Sequence, residues 1–556
     1  MFDSGSKSLS PGTLATGITY LLLAFATLSV GMDLCVVART ASALPLLDHW
    51  MFLAPLAKTG SYSLSDLWAQ HNEHRLVIPK LFYLADFYWF RGRNVSLFIA
   101  IFVVQALHAL LLMRIADVSQ ALRPALFALI VAFLFSPVQL HNFVWEFQIC
   151  FVLGAFLASA CAWSFALFYR AYQLRTSPHR VVRLFILSLV LALCTTLSLA
   201  NGLVLWPILA GILILLRVNW RYLFALAMVA AGVFAAYFQQ WFTPDGHSHP
   251  LDSLRQPISL IQYVFCYLGG SWVNYGLTLA TILGGVGAAL GIFVLLRLWR
   301  TRAHLKALDI FVAITVLGTF ATALETGLGR LDFGLAQASS SRYQTIALVY
   351  WAALGIWAVS KRPANSQWQA IAVFSLVVLA PFVRIADVVD PYSDWPSDFD
   401  DTAATMMSGV DDDDAVSFVW PMEGDIRPTI DLLRRRRKSV FSTQLSAKLG
   451  SRFSDSFHID QRLPCPGEIR IARLLKEPNL KALKFTGLLQ SPSPIRNLVL
   501  VDDKGRISGF GFNRNGAWLG YSRMTVYRRM TGASETVQVY GLLPDGSGAC
   551  SIATFE

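Results

Sequence analysis

Over its first 390 residues the chain alternates long apolar stretches with short polar breaks, and then it changes character. Apolar runs recur at 14–36, 95–116, 123–140, 148–170, 183–200, 203–217, 222–241, 277–297, 307–327, 343–360 and 366–386. Runs of roughly 17–25 residues are what a helix needs to cross ~30 Å of hydrocarbon. The pattern predicts a polytopic all-α membrane domain over residues 1–390 with eleven transmembrane helices. From 391 the chain is polar and rich in turn residues. Segment 391–440 reads as a linker with an acidic run and a basic helix. In 441–556, Ile495 to Val501 runs into Asp502-Asp503-Lys504-Gly505, and Val537 to Leu543 precedes Pro544-Asp545-Gly546. Short strands punctuated by Gly and Asp turns predict a C-terminal β-sandwich.

The polar breaks predict an orientation. Basic residues cluster at Arg170, Arg175, His179, Arg180 and Arg183, at Arg217 and Arg221, at Arg297, Arg300, Arg302 and Lys306, and at Lys361 and Arg362. They fall at every second loop, the distribution that retention of Lys and Arg in short cytoplasmic loops produces. Counting from them puts the N-terminus inside and the C-terminal domain outside. The apolar segment 258–275 cannot be a twelfth span without breaking the alternation, so it is expected as an outer-face or re-entrant helix. Loops 37–94, 141–147, 200–202, 242–276 and 328–342 then face outwards. Ala41-Ser42-Ala43 offers the small residues of a signal-peptide cleavage site, but 14–36 is long enough to span and the alternation needs it as a helix.

Composition agrees with a membrane protein. Of 556 residues 55% are hydrophobic and 15% charged, against about 25% charged in soluble domains. The net charge of +11 is accounted for by the cytoplasmic loops and is not read as a nucleic-acid footprint. The run Asp411 to Asp414 lacks the alternating ligands and glycine of a calcium loop and reads as a solvated segment. Arg434 to Lys438 follows an amphipathic stretch from Arg427; it is either a helix face or a contact for lipid or glycan phosphates. Two of the seven cysteines, Cys465 and Cys550, lie near the ends of the outward domain, which predicts a disulfide between them.

The outer loops hold the candidate chemistry. Loop 37–94 is far longer than ordinary connections, and such loops are often functional. It contains Leu46-Leu47-Asp48-His49-Trp50 and His71-Asn72-Glu73-His74-Arg75, followed by apolar residues at near-helical spacing over 76–90 that include Lys80. This fits amphipathic helices in the interface. Asp33 lies at the outer end of the first span, Gln148 opens the fourth, Asn201 follows the fifth, Glu325 and Arg330 close the ninth, and Arg342-Tyr343 opens the tenth. Charges this close to hydrocarbon generally face a protein or water-filled cavity. Arginine's fork matches phosphate oxygens, and a carboxylate can take a proton from a hydroxyl. The combination suits transfer of a group from a lipid phosphate to a hydroxyl acceptor. Asp48, Glu73 and His74 are the candidate catalytic residues. Arg75, Lys80, Arg330, Arg342 and Tyr343 are the candidate phosphate contacts, and Asp33, His71, Asn72, Gln148, Asn201 and Glu325 further cavity candidates. His71, Glu73 and His74 do not have the spacing of the His-Glu-x-x-His zinc motif.

In its span order, its long first outer loop and the placement of acids there, the chain resembles the GT-C superfamily of integral membrane glycosyltransferases over residues 14–390. The resemblance implies a polyprenyl-phosphate-linked sugar as donor, a glycan or lipid-linked acceptor, inversion at the sugar, and a bacterial inner membrane with a periplasmic C-terminal domain. Asp48 matches the superfamily's acid near the start of the loop, with Asp33 as a rival and Glu73 as the later acid. No Asp-Asp or Asp-Glu pair follows the first span, so the identity of the base stays open. Nothing demands a metal, although some members use a divalent cation. Two other readings remain: a transporter or lipid flippase, disfavoured by the absence of an evident internal repeat, and a non-catalytic assembly protein.

Overall fold

A computed structural model describes residues 11–244, 246–410, 412–422 and 424–459, and within the C-terminal sheet 467–476, 480–489, 495, 497–514, 517–525, 536–543 and 548–555. The chain forms two compact units. The first comprises 1–39, 64–82 and 97–391; the second comprises 40–63, 83–96 and 392–556.

The first unit is helical. Nine helices among the described residues are long and apolar enough to cross a membrane, and they lie where nine of the eleven expected spans do. The other two differ. At 203–217 the helix proper is Leu205–Leu215, 11 residues, or about 16 Å at 1.5 Å per residue. At 366–386 the helix Gln367–Leu379 breaks at a short turn containing Pro381, whose ring has no N–H to continue the ladder. Joined to the helical segment after it, this would make a tenth span.

The expected helix within 258–275 is present as Pro257–Gly269. A 3-10 turn over Gly270–Tyr275 reverses the chain into the helix Leu277–Arg300, and the two helices pack against each other. Their backbones meet at glycines. A Cβ on Gly269 would stand 1.8 Å from the Ala280 carbonyl oxygen, and one on Gly284 1.7 Å from that of Phe265. Small residues allow this close approach, which is how helices associate where lipid removes the hydrophobic drive. Helix Gln344–Ser360 joins the pair: the Trp351 indole donates to the Leu268 carbonyl at 2.8 Å, and the Tyr350 hydroxyl to that of Gly287 at 2.6 Å.

The helix Ala307–Arg330 packs on Ile149–Gln173 and Gln344–Ser360. At its start Asp309, 2% exposed, takes the Lys361 ammonium at 2.7 Å and the Trp357 indole N–H at 3.0 Å. Arg297 lies over the Trp357 ring at 5.4 Å. Residues from two of the expected basic-loop regions thus converge on one end of the bundle, and a buried carboxylate is compensated there, as burial of charge requires.

The second unit assembles three pieces of chain. The helix Asp48–Thr59 buries His49, Trp50, Phe52, Leu53 and Leu56, and it packs against the helix Arg427–Arg435. The Leu47 N–H donates to the Val419 carbonyl at 2.8 Å. Segment 391–440, expected as a linker, is therefore folded: helix Trp395–Ser408 buries most of its second half against strands of the sheet. The expected solvated run contains Asp412, which is buried and pairs with Lys484 at 3.1 Å.

Among the described residues the strands are β1 (His458–Ile459), β2 (Gly467–Lys476), β3 (Leu480–Leu489), β4 (Asn497–Val501), β5 (Ile507–Arg514), β6 (Ala517–Thr525), β7 (Val537–Leu542) and β8 (Gly548–Phe555). They hydrogen-bond into one sheet, ordered β1-β8-β7-β4-β5-β6-β3-β2, rather than the two facing sheets of the expected sandwich. All its pairings are antiparallel except β1 with β8. Cys550 is buried on β8. Its expected partner Cys465 lies outside the described residues. Cys35, Cys161, Cys194 and Cys266 are free thiols.

Candidate functional site

The polar run at 71–75 forms a tight turn. His71 and His74 exchange backbone hydrogen bonds of 2.8 and 2.9 Å, and Asn72 takes φ +47, a left-handed conformation that Asn adopts more readily than most residues. The turn is pinned from behind. Arg75 donates from Nε to the Tyr237 carbonyl at 2.6 Å, from Nη1 to that of Trp68 at 2.7 Å, and from Nη2 to that of Gln239. The Tyr237 hydroxyl donates to the Glu73 carbonyl at 3.1 Å. Lys80 donates to the carbonyls of Asp66, Leu67 and Ala69, and burial pushes its ammonium down to about 8, with Asp66 opposing. Arg75 and Lys80, expected as phosphate contacts, thus hold backbone.

With the turn fixed, Glu73 points into a cavity of about 600 Å³ whose lining includes His74, Asn201, His247, Glu325, Arg330 and Tyr343. Every element that lines it belongs to the first unit. Arg330 donates from both Nε and Nη2 to Glu73 Oε1, the Nε contact at 3.2 Å. His247 Nε2 stands 3.3 Å from Glu73 Oε2, and His74 Nε2 3.5 Å from Oε1. The Ala200 N–H donates to His74 Nδ1 at 3.2 Å. Nδ1 is therefore the acceptor, and the neutral imidazole carries its proton on Nε2, towards Glu73. His247 is positioned by its neighbour: the Ser248 N–H donates to the Gly329 carbonyl at 3.0 Å, and its hydroxyl accepts from the Asp332 N–H at 2.9 Å.

The electrostatics follow from this crowding. Burial works against the charge on Glu73, but His74, His247 and Arg330 outweigh it and hold the carboxyl far below the usual carboxylate range. Burial pushes His74 down to about 4; Glu73 opposes this, while Arg330, His71 and Arg342 add to it. Glu73 is thus a firmly ionised anchor and a weak base. Glu325 differs. It faces the same cavity from the Ala307–Arg330 helix, and its Oε2 has no hydrogen-bond partner among the described residues.

Arg342 and Tyr343 lie at the mouth of the helix Gln344–Ser360. The Arg342 guanidinium sits 5.3 Å from the Tyr343 ring centre, and its Nε has no partner among the described residues. Its backbone is held by Asn142, which donates from Nδ2 to the Arg342 carbonyl at 3.1 Å and to Thr345 Oγ1 at 2.9 Å. His141, beside it, is pushed down to about 4 by burial and by Arg342. Tyr343 stacks on Tyr267 at 5.4 Å. The hydroxyls of Tyr263, Tyr267 and Tyr343 are buried and have no partner among the described residues.

The structure therefore brings Glu73, His74, Asn201, Glu325, Arg330 and Tyr343 together. His71 is buried in the turn against Phe147, with Asn72 as its corner. Gln148 is buried, with its Oε1 unpartnered among the described residues. Asp33 is fully buried in the helix Pro11–Thr40, with neither carboxylate oxygen partnered among the described residues. Asp48 is the first residue of the helix Asp48–Thr59 in the second unit and does not line the cavity. An acid at that position complements the helix dipole, a sufficient reason for its presence. His247 was not singled out among the sequence candidates; its only signal is a His-Ser-His triplet in an expected outward loop.

Among the described residues no cluster of three or more His, Cys, Asp and Glu side chains is spaced to hold a metal ion. Comparison of the chain with family models, with curated proteins and with solved structures finds no match.

Proposed function

We propose that the protein is a membrane glycosyltransferase. It moves a sugar from a polyprenyl-phosphate donor to a hydroxyl of a glycan or lipid-linked acceptor, on the extracytoplasmic face of a bacterial plasma membrane. The observation that carries this reading is the shared cavity, where a carboxyl without a cation, Glu325, faces an arginine-bearing cluster around Glu73. In the proposed step Glu325 accepts the acceptor's hydroxyl proton as that oxygen bonds to the sugar's anomeric carbon. The bond from that carbon to the phosphate oxygen breaks, and the polyprenyl phosphate leaves with the electron pair. The outer N–H groups of Arg330 receive the phosphate charge, with Arg342, which lies beside the cavity-lining Tyr343 and not in the lining itself, as a further cation. Glu73, bound by Arg330 and flanked by two imidazoles, positions these groups and takes no proton itself.

The orientation is supported by the helix Ala307–Arg330. It starts beside the Asp309–Lys361 cluster and ends at Glu73, so its 24 residues separate the basic loops from the cavity by about 36 Å. With the basic loops cytoplasmic, the cavity lies outside. An extracytoplasmic C-terminal domain would meet the oxidising conditions in which the expected Cys465–Cys550 disulfide could form.

The test is reconstitution in vesicles with polyprenyl-phosphate sugars and an acceptor glycan. Glu325→Gln is expected to lower transfer at least about a hundredfold while donor still binds, Arg342→Gln to weaken donor binding, and Asp48→Asn to leave transfer intact. Full activity in Glu325→Gln and Arg342→Gln ends the assignment. A second reading, a proton-coupled transporter or flippase, is favoured by one observation: Glu325, half-buried on a helix long and apolar enough to span, has a buried Oε2 without a partner among the described residues. No transfer from any donor, with lipid or solute flux that depends on Glu325, selects it.

A further inference from the structure

A second polar cavity, of about 450 Å³, lies in the second unit and is lined by Arg91, Arg436, Arg437 and Lys438. Its cations come from two places some 345 residues apart in the chain and are locked together there. The Ser439 N–H donates to the Arg91 carbonyl at 2.9 Å, and the Ser439 hydroxyl donates to that of Ala43. Arg91, Arg437 and Ser439 all hold left-handed backbone, at φ +64, +48 and +56. Such conformations persist only where surrounding structure enforces them, and they gather at ligand clamps.

Four cations about one cavity repel each other and call for an anion. None of the four is in an ion pair among the described residues. Arg436 donates to the Gly60 carbonyl and Lys438 lies over the Phe87 ring at 5.2 Å. Asp86 is the acid that bears on Lys438, but it is buried, and its two oxygens accept from the Asn94 N–H and the Ser96 hydroxyl. The side chains of Arg91 and Arg437 have no partner among the described residues.

The chain around Arg91 has the residue pattern of a membrane boundary. Tyr88, Trp89 and Phe90 are exposed, Trp89 by 79%. Four residues after Arg91 the spanning helix Val95–Ile115 begins. Exposed aromatics followed by arginines at the start of a span are what the headgroup layer selects. We propose that this cavity is a binding site for the phosphate of an anionic phospholipid headgroup, with Arg91 and Arg437 as its direct contacts. The site does not depend on the transferase reading.

The test uses the full-length protein in neutral detergent, titrated with phosphatidylglycerol or phosphatidylcholine, with retained lipid counted by native mass spectrometry. Glycerol phosphate, which has the headgroup chemistry without the chains, is the third probe. The expected result is selective retention of phosphatidylglycerol, weakened about tenfold or more in Arg91→Gln/Arg437→Gln and unchanged in Arg435→Gln, an exposed arginine outside the cavity. The single variant Arg437→Gln, expected to show part of the loss, serves if the double variant does not fold. Equal retention of both lipids, undiminished retention in the variants, or an equal loss in Arg435→Gln overturns the proposal. Displacement of the lipid by equimolar glycerol phosphate also overturns it, in favour of a soluble phosphate ligand.

Discussion

The Glu73–Arg330 pair is the joint on which the cavity turns, and its strength can be measured. The Glu73 and Arg330 side chains are 25% and 14% exposed, so the pair is largely but not fully withdrawn from water. Removing one partner of a buried pair costs about 3–5 kcal/mol, chiefly because the other charge is left uncompensated. With partial exposure and two imidazoles beside Glu73, about 2–3 kcal/mol is expected here for Glu73→Gln or Arg330→Gln alone. The double variant loses the pair but strands no charge, so it should be no worse than either single one. The coupling in the cycle should then be about 2 kcal/mol. The buried free thiols of Cys161 and Cys266 supply the assay: their reaction with a thiol-activated fluorophore in detergent reports unfolding on heating. Additive single effects, with coupling under about 0.5 kcal/mol, would refute the claim that the pair organises the site.

Acid should weaken the fold in a defined window. His74 is held at about 4 against an ordinary 6.5, so between those values the unfolded chain takes a proton that the folded chain refuses. Stability should fall by about 3 kcal/mol as pH drops from 6.5 to 4, and His74→Gln should flatten part of that slope in pH-resolved melting. Glu73 works at the acid end: its stabilisation is present above 4.5 and is lost only as pH falls below that value. Gly284→Ala should force apart the helices Pro257–Gly269 and Leu277–Arg300, because its Cβ would lie 1.7 Å from a backbone oxygen; a loss of about 3 kcal/mol or failure to accumulate in the membrane is expected, and wild-type melting would contradict it. Reductant should retard the C-terminal region on gels if Cys465 and Cys550 are bonded, and Cys465→Ser should abolish the difference.

Much of the helical layout was legible because lipid imposes it: spans must be long and apolar, and among the described residues nine helices long and apolar enough lie where spans were expected. The short helix Leu205–Leu215 and the break at Pro381 escaped, since hydropathy averages over helix ends. In the site, Glu73, Glu325 and Arg330 stood out as charges beside hydrocarbon, but their pairing did not. Glu73 and Arg330 are 257 residues apart, and no local pattern encodes a contact of that range. Arg75 and Lys80 looked like ligands because a sequence shows charge and not the carbonyls that claim it. The folded segment 391–440 was hidden for a related reason: its polar surface is visible in composition, whereas its burial against the helix Asp48–Thr59 and the sheet is tertiary.

The second unit's piecemeal make-up has a consequence for biosynthesis. Its first two pieces leave the ribosome about 300 residues before its third begins. At 5–20 residues per second that is an interval of about 15–60 s. Throughout it Trp50, Phe52 and Leu53 have yet to meet the helix Arg427–Arg435 they pack beside. The nascent protein must carry this sticky loop uncovered, or under a chaperone's protection, until translation is nearly finished. A stop codon between the last span and the helix Arg427–Arg435 would then leave more than a missing tail: it would leave an orphaned hydrophobic surface for quality-control proteases to find.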